Sequence, residues 1–316
     1  MVETLTDTPP AAAAADEAVA RALTQHVPLG RVVILVNPLS GSVGPKAAEE
    51  AGAILSEYAC EAEVISLEGD FDAQIDGAIK SCPDVLFVLA GDGTARAVAS
   101  RAGADGPLVA PLPGGTMNML PKALYGTADW KAALRLALEE GAPQTVSGGV
   151  VEGEPFYCAA ILGSPALWAP AREAIRVGKP SLAWQYARRA LRRAFSGRIR
   201  YMLDNAPYRR AEALVLISPM ISKVMDEPVG LEAAIMDPTD AADVFRMAAT
   251  ALFTDWRRDP SVKTQPVRRV RLKARSRIPA VIDGEPILLR HEASVSFVPR
   301  AFRALAPHPA AAEDSV

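Results

Sequence analysis

Three short segments gather glycine with residues that can handle anions and protons: NPLSGSVG (Asn37 to Gly44), AGDGT (Ala90 to Thr94) and PGGTMN (Pro113 to Asn118). Glycine lets backbone N–H groups come close to an anion, and a neighbouring hydroxyl or amide completes the cradle. Asp92, set between Gly91 and Gly93, is a carboxylate suited to hold Mg²⁺ or to accept a proton. One glycine-rich loop is an ordinary turn. Three, each leaving an apolar run, fit a phosphate site. Two other phosphate signatures are missing. GSVGPKAA (Gly41 to Ala48) lacks the spacing of a GxxxxGK[ST] loop and the hydroxyl after Lys46, and GDGTAR (Gly91 to Arg96) lacks the third glycine of GxGxxG. The second absence argues against a dinucleotide oxidoreductase.

The loops need strands to carry them. RVVILVNP (Arg31 to Pro38) is a β-branched run closed by Asn-Pro, and Asp84 to Gly91 (DVLFVLAG) is a second buried strand. PLVAPLP precedes the third loop in the same way. Between them, Pro45 to Ala59 reads as a helix with proline in its first turn, EAEVISLE as a strand, and DAQIDGAIKS and TARAVASRAG as helices, the latter capped by Gly103. Strand and helix in turn predict a parallel sheet covered on both faces, with ligands at the carboxyl ends of its strands. After about Thr145 the pattern changes to short alternating runs separated by Gly, Pro and Asp, which predicts an antiparallel β-sandwich. The expected fold is therefore α/β plus β. A tail spans 1–28, an α/β nucleotide-binding domain 29–145 and a sandwich domain 146–300. Residues 301–316 are expected to pack back partly on the first domain and then to be disordered.

Composition narrows the classes. With 316 residues, 50% of them hydrophobic and a net charge of -3, nothing pulls the whole chain toward nucleic acid or membrane. Three widely spaced cysteines, Cys60, Cys82 and Cys158, argue against a disulfide framework and a zinc site. No run reaches the length of a membrane span, and the expected location is cytoplasmic.

The motifs VNPLSG, AGDGT and LPGGTMN, followed far downstream by IDGE (Ile282 to Glu285), resemble the lipid kinase superfamily of diacylglycerol, sphingosine and ceramide kinases. The resemblance runs from about residue 30 to 305. It implies an ATP-binding α/β domain, a β-sandwich that completes the lipid site, and an active site in the cleft between them. Carried over, Asn37, Ser40, Gly41, Gly91, Asp92, Gly93, Thr94, Gly115, Thr116 and Asn118 would line the nucleotide. Asp92 and Asp283 would hold Mg²⁺. Glu285, ahead of Asp283 and Asp92, would be the base. Phosphoryl transfer rests mainly on positioning and charge neutralisation, and a hydroxyl acceptor needs a carboxylate to take its proton. The residue types alone leave the division between metal ligand and base open. Asp283-Gly284 also reads as a plain hairpin turn.

The chain departs from the pattern in places. Ala90 replaces a glycine, ARAV (Ala95 to Val98) replaces an Asn-Glu pair, so that one polar contact is either missing or replaced by Arg96, and Met119 replaces an acid. Val229 stands where many bacterial members have the acid of a structural Mg²⁺ site, with Asp226 and Glu227 nearby.

For membrane contact, Ser181 to Phe195 (SLAWQYARRALRRAF) places Trp184, Leu191 and Phe195 beside Arg188, Arg189, Arg192 and Arg193. That suits an interfacial helix on an anionic membrane, and equally a solvated helix with its tryptophan in the core. Arg269, Arg271, Lys273 and Arg275 share one face of a strand. No stacking aromatics accompany them, so a nucleic-acid partner is not expected. Tyr157 to Pro170 is apolar and reads as lipid cleft or as sandwich core. The leading function is an ATP- and Mg²⁺-dependent lipid kinase acting on diacylglycerol or a sphingolipid such as ceramide, peripheral to the membrane and possible as a homodimer. A soluble-substrate kinase of NAD-kinase type and a non-catalytic lipid- or nucleotide-binding regulator are the alternatives.

Overall fold

The computed structural model describes residues 29–163, 166, 198–222, 229–236 and 262–307. In the first half, β1 (Arg31–Val36), α1 (Ala47–Leu55), β2 (Glu61–Ser66), α2 (Phe71–Lys80), β3 (Val85–Ala90), α3 (Asp92–Ala102) and β4 (Leu108–Pro113) alternate as the sequence predicts, followed by α4 (Met119–Tyr125) and α5 (Trp130–Glu140). The strands lie parallel in the order β2-β1-β3-β4. All six residues of β3 and of β4 are buried, because helices cover both faces of a parallel sheet. The amphipathic helices seal it with Ala51, Ile54 and Leu55 of α1, Val98 and Ala99 of α3, and Leu134 and Ala137 of α5. Strand order reverses between β1 and β3, and the first two glycine-rich loops leave the carboxyl ends of those strands. In open α/β sheets that switch point is where ligands bind.

The second half supplies β5 (Gly141–Val151), β6 (Glu154–Phe156), β7 (Ala159–Gly163), β8 (Ile199–Leu203), β9 (Arg209–Ala211), β10 (Ala213–Ile217), β11 (Leu231–Met236), β12 (Val262–Val267), β13 (Arg269–Lys273), β14 (Ile278–Ile282), β15 (Glu285–Leu289) and β16 (Glu292–Pro307). Six of them form an antiparallel sheet in the order β12-β11-β10-β7-β14-β15. Leu162, Leu214, Leu216 and Ile282 of this sheet pack on Val151, Phe156, Tyr201, Val270, Leu272 and Val295 of the facing one. The alternation of β13 is as expected, with Val270 and Leu272 inside and Arg269 and Arg271 exposed.

The facing sheet is not confined to the second half. Ten strands form one continuous sheet, running from the parallel strands through β16 to β13, β8 and β9. Two long strands make the join. β5 pairs with β16 over nearly its whole length, with a bulge between Val298 and Phe302, and Ala304 of β16 pairs in parallel with Val109 of β4. Both strands run through the expected boundaries at 145 and 300. Residues 302–307 accordingly belong to the first half's core, where Phe302, Leu305 and Ala306 are buried. Tyr125 donates its hydroxyl to the Leu305 carbonyl at 2.7 Å and locks that end down.

The candidate interfacial helix with Arg188, Arg189, Arg192 and Arg193, and the acids Asp226 and Glu227, lie outside the described residues. So do 1–28 and 308–316.

Candidate active site

The three glycine-rich loops meet. Ser40 accepts a hydrogen bond through Oγ from the Gly91 N–H at 3.0 Å, tying the first loop to the second. Ser42 ties the first loop to the third: its N–H donates to the Gly114 carbonyl at 3.3 Å, and its hydroxyl to the Gly115 carbonyl at 3.3 Å. Asp92 joins the second loop to the third by accepting from the Asn118 N–H through Oδ2 at 3.1 Å.

Local conformation explains the residue choices. Asn37 Oδ1 accepts from the Leu39 N–H at 3.1 Å, so its amide turns the first loop as it leaves β1. Asn118 is buried with φ +49°, a left-handed geometry that asparagine tolerates, and its Oδ1 accepts from Gly115 N–H at 2.7 Å. A Cβ on Gly114 would fall 2.6 Å from the Ala90 carbonyl oxygen and 2.7 Å from the Ala90 nitrogen. Only a bare Cα lets the third loop cross the end of β3. Thr116 Oγ1 lies 3.6 Å from where a Cβ of Gly41 would stand. Asp92, Gly93 and Thr94 form the first turn of the eleven-residue helix α3, with Gly91 as its N-cap. The unpaired N–H groups and the positive end of the dipole there suit phosphate.

The IDGE segment closes the cleft from the other half. Asp283 (φ +45°) and Gly284 (φ +90°) form the two-residue turn of the β14–β15 hairpin, with Ile282 paired to Glu285. The Asp283 side chain points away from the cleft into backbone. Its Oδ1 accepts from the Cys158 and Ala159 N–H groups at 2.9 Å each, and its Oδ2 from Tyr157 N–H at 2.8 Å. Burial pushes this carboxyl above its ordinary range, opposed by those donors and by the charge of Arg96. Desolvation also pushes the neighbouring Tyr157 hydroxyl up to about 12 and the Cys158 thiol well above its ordinary value.

Glu285 points the other way. Its carboxylate lies against Gly93, so close that a Cβ there would collide with Oε1. Arg96, on α3, pairs with Glu285 Oε2 and donates from Nη1 to the Ile282 carbonyl at 3.3 Å. Met117 completes the join: its Sδ is 3.0 Å from where a Cβ of Gly284 would be.

Asp92 and Glu285 thus flank the first turn of α3, one from each half of the molecule, while Asp283 braces the hairpin that carries Glu285. Gly114, Ser42 and the Tyr157–Ala159 backbone were not singled out from sequence. The double glycine of PGG was the available sign for the first, and nothing local marks the others. Val229 is half-exposed. No three His, Cys, Asp or Glu side chains gather around a common point among the described residues. Magnesium in phosphoryl-transfer sites needs less: one or two carboxylates, with the nucleotide's phosphates supplying the rest. Asp92 fits, since Oδ2 is spent on Asn118 and Oδ1 is left. Asp283 fits less well, with both oxygens taken.

Residues 31–150 match the family described as the diacylglycerol kinase catalytic domain. The chain carries a domain of that family. The diacylglycerol kinase-like fold extends beyond the match. A diacylglycerol kinase from Bacillus anthracis superposes with a TM-score of 0.64 at 13% identity, over 90% of this chain and 99% of that one. Two further structures from the same organism superpose at 0.66 with 15% identity, over 90% of this chain and 99% of theirs, and at 0.65 with 16% identity, over 89% and 98%. No curated protein matches the chain. The catalytic-domain match supports a kinase of this superfamily, and such a domain implies ATP and, typically, a divalent metal. No helix among the described residues is long and apolar enough to cross a membrane.

Proposed function

We propose that this protein is an ATP- and Mg²⁺-dependent lipid kinase that transfers the γ-phosphate to a hydroxyl of diacylglycerol or of a sphingolipid such as ceramide. The observation that carries the reading is the approach of Glu285 to Gly93, which puts a carboxylate of one half against the nucleotide loop of the other. In this reading the loops at Asn37–Gly41, Gly91–Thr94 and Gly115–Asn118 hold the triphosphate by backbone N–H groups and by the first turn of α3. Asp92 would hold Mg²⁺ together with the phosphates. When bound, that ion neutralises charge on the transferring group. Glu285 takes the proton from the acceptor hydroxyl as it attacks the γ-phosphorus. The O–H bond breaks, the new P–O bond forms, and ADP leaves. Asp283 keeps the hairpin in register and touches neither substrate.

The acceptor lies in the membrane, and Arg188, Arg189, Arg192 and Arg193 are proposed to meet its anionic face from a cytoplasmic protein. The test is label transfer from ATP, with Mg²⁺, to mixed micelles of diacylglycerol, ceramide or sphingosine, with a lipid-free control and soluble NAD alongside. Label in one lipid supports the proposal and names the acceptor. Label in NAD alone, or in nothing while ATP still binds, overturns it.

A further inference from the structure

Glu285 is half-exposed at the cleft, whereas Arg96, its partner, is largely buried, with side-chain exposures of 49% and 16%. One partner of the pair is therefore held in place before the pair forms, whereas in a surface ion pair both long side chains must be ordered. Arg96 is fixed at its base by α3 and at its tip by the Ile282 carbonyl. Its second amino group is left to grip one oxygen of Glu285. The other oxygen faces Gly93. Among the described residues, Arg96 is the one group that hydrogen-bonds the Glu285 side chain. Arg96 also follows Asp92 by four positions on α3, so both lie on the same face of one helix.

We propose that Arg96 is a positioning residue for the proposed reaction. It orients the Glu285 carboxylate over the nucleotide loop and couples the hairpin of the second half to α3 of the first. The inference rests on the kinase reading, with Glu285 as base. A guanidinium is suited to this because its planar fork offers fixed donors to a carbonyl and a carboxylate at once, whereas an ammonium is a compact point charge with rotatable donors on a flexible stem. Without it, Glu285 has three rotatable bonds and no fixed partner. Misplacement of a reacting group by about 1 Å costs on the order of 10²-fold in rate.

Four variants test this: R96Q, R96K, E285Q and R96Q/E285Q, each with kcat, KM for ATP and a melting curve. R96Q is expected to lose about 10²-fold in kcat with KM for ATP changed less than about threefold, and R96K to recover part of the loss. The double variant is expected to be no slower than E285Q, since residues that act as one unit are not additive. R96Q at wild-type kcat beside an inactive E285Q overturns the role of Arg96 and leaves the kinase reading standing. A double variant slower than E285Q by the full R96Q factor also overturns it, because Arg96 would then act on substrate directly. E285Q at wild-type turnover overturns Glu285 as base and the role of Arg96 with it, while the turnover itself leaves the kinase reading standing. Should R96Q fail to fold, R96K and R96K/E285Q carry the same comparison.

Discussion

Replacing Gly93 by alanine adds one methyl group at the point where the two halves touch. The new Cβ would stand about 1 Å inside ordinary van der Waals distance of Glu285 Oε1. The helix cannot yield, because Gly93 sits in the first turn of α3 above buried Ala95, Val98 and Ala99. The carboxylate yields instead and leaves Arg96. Stability should change little. Alanine is favoured over glycine within a helix by up to about 1 kcal/mol, and loss of a partly exposed ion pair costs about 0–1 kcal/mol. Turnover should not be spared, because a displacement of about 1 Å at a reacting group costs on the order of 10²-fold. The assay is label transfer from ATP to lipid in mixed micelles, paired with ATP affinity and a thermal melt. The expected result is a fall in kcat of about 100-fold with an unmoved melting temperature and a much smaller change in ATP affinity. Wild-type turnover in G93A, or a loss that follows ATP affinity alone, would show that the position of Glu285 against Gly93 does not set the rate.

Gly114→Ala forces a methyl against the Ala90 backbone and Val43 Cγ2, 2.8 Å away. Neither can move freely, so a loss of about 1–3 kcal/mol in stability is expected by denaturant titration. Asp283→Ala strands three backbone donors. Its expected cost is about 3 kcal/mol or more, whereas Asp283→Asn, which keeps an acceptor for two of them, should cost about 1–3 kcal/mol; equal melting curves for the two would contradict the bracing role. Thiol titration of the native protein at neutral pH should modify exposed Cys82 first. Cys60, half-buried with its thiol pushed up by desolvation, should react more slowly, and buried Cys158 only on unfolding.

The α/β half was legible because its signals are local. Apolar β-branched runs end in glycine-rich loops, and each amphipathic helix shows its face within about ten residues. The continuity of the sheet was not legible. β5 and β16 each join two halves, but their alternation is broken by Gly148 and Gly149 in one and by the bulge before Phe302 in the other. Each half of such a strand therefore reads as a separate short element. At the site, the loops could be found from glycine and Asp92, and the Asp-Gly hairpin from its turn chemistry. What Asp283 does with its side chain depends on Tyr157–Ala159, more than a hundred residues away in sequence. Arg96 reads as one more cation on a helix, with only its place in ARAV to suggest a substitute contact. Its partner is 189 residues away, and no local pattern encodes such a pairing.

In the proposed reaction the cleft between α3 and the Asp-Gly hairpin transfers phosphate from ATP to a lipid hydroxyl. Single-turnover transfer from γ-labelled ATP to lipid, by the wild-type protein and by Asp92→Asn, tests this; the change is near-isosteric and preserves an acceptor for Asn118 N–H. Labelled lipid is expected with the wild type, and a loss of at least about 10²-fold with D92N at an unchanged melting temperature. Equal label from both proteins would remove Asp92 from the reaction, and no label from a wild type that binds ATP would remove the lipid kinase reading itself.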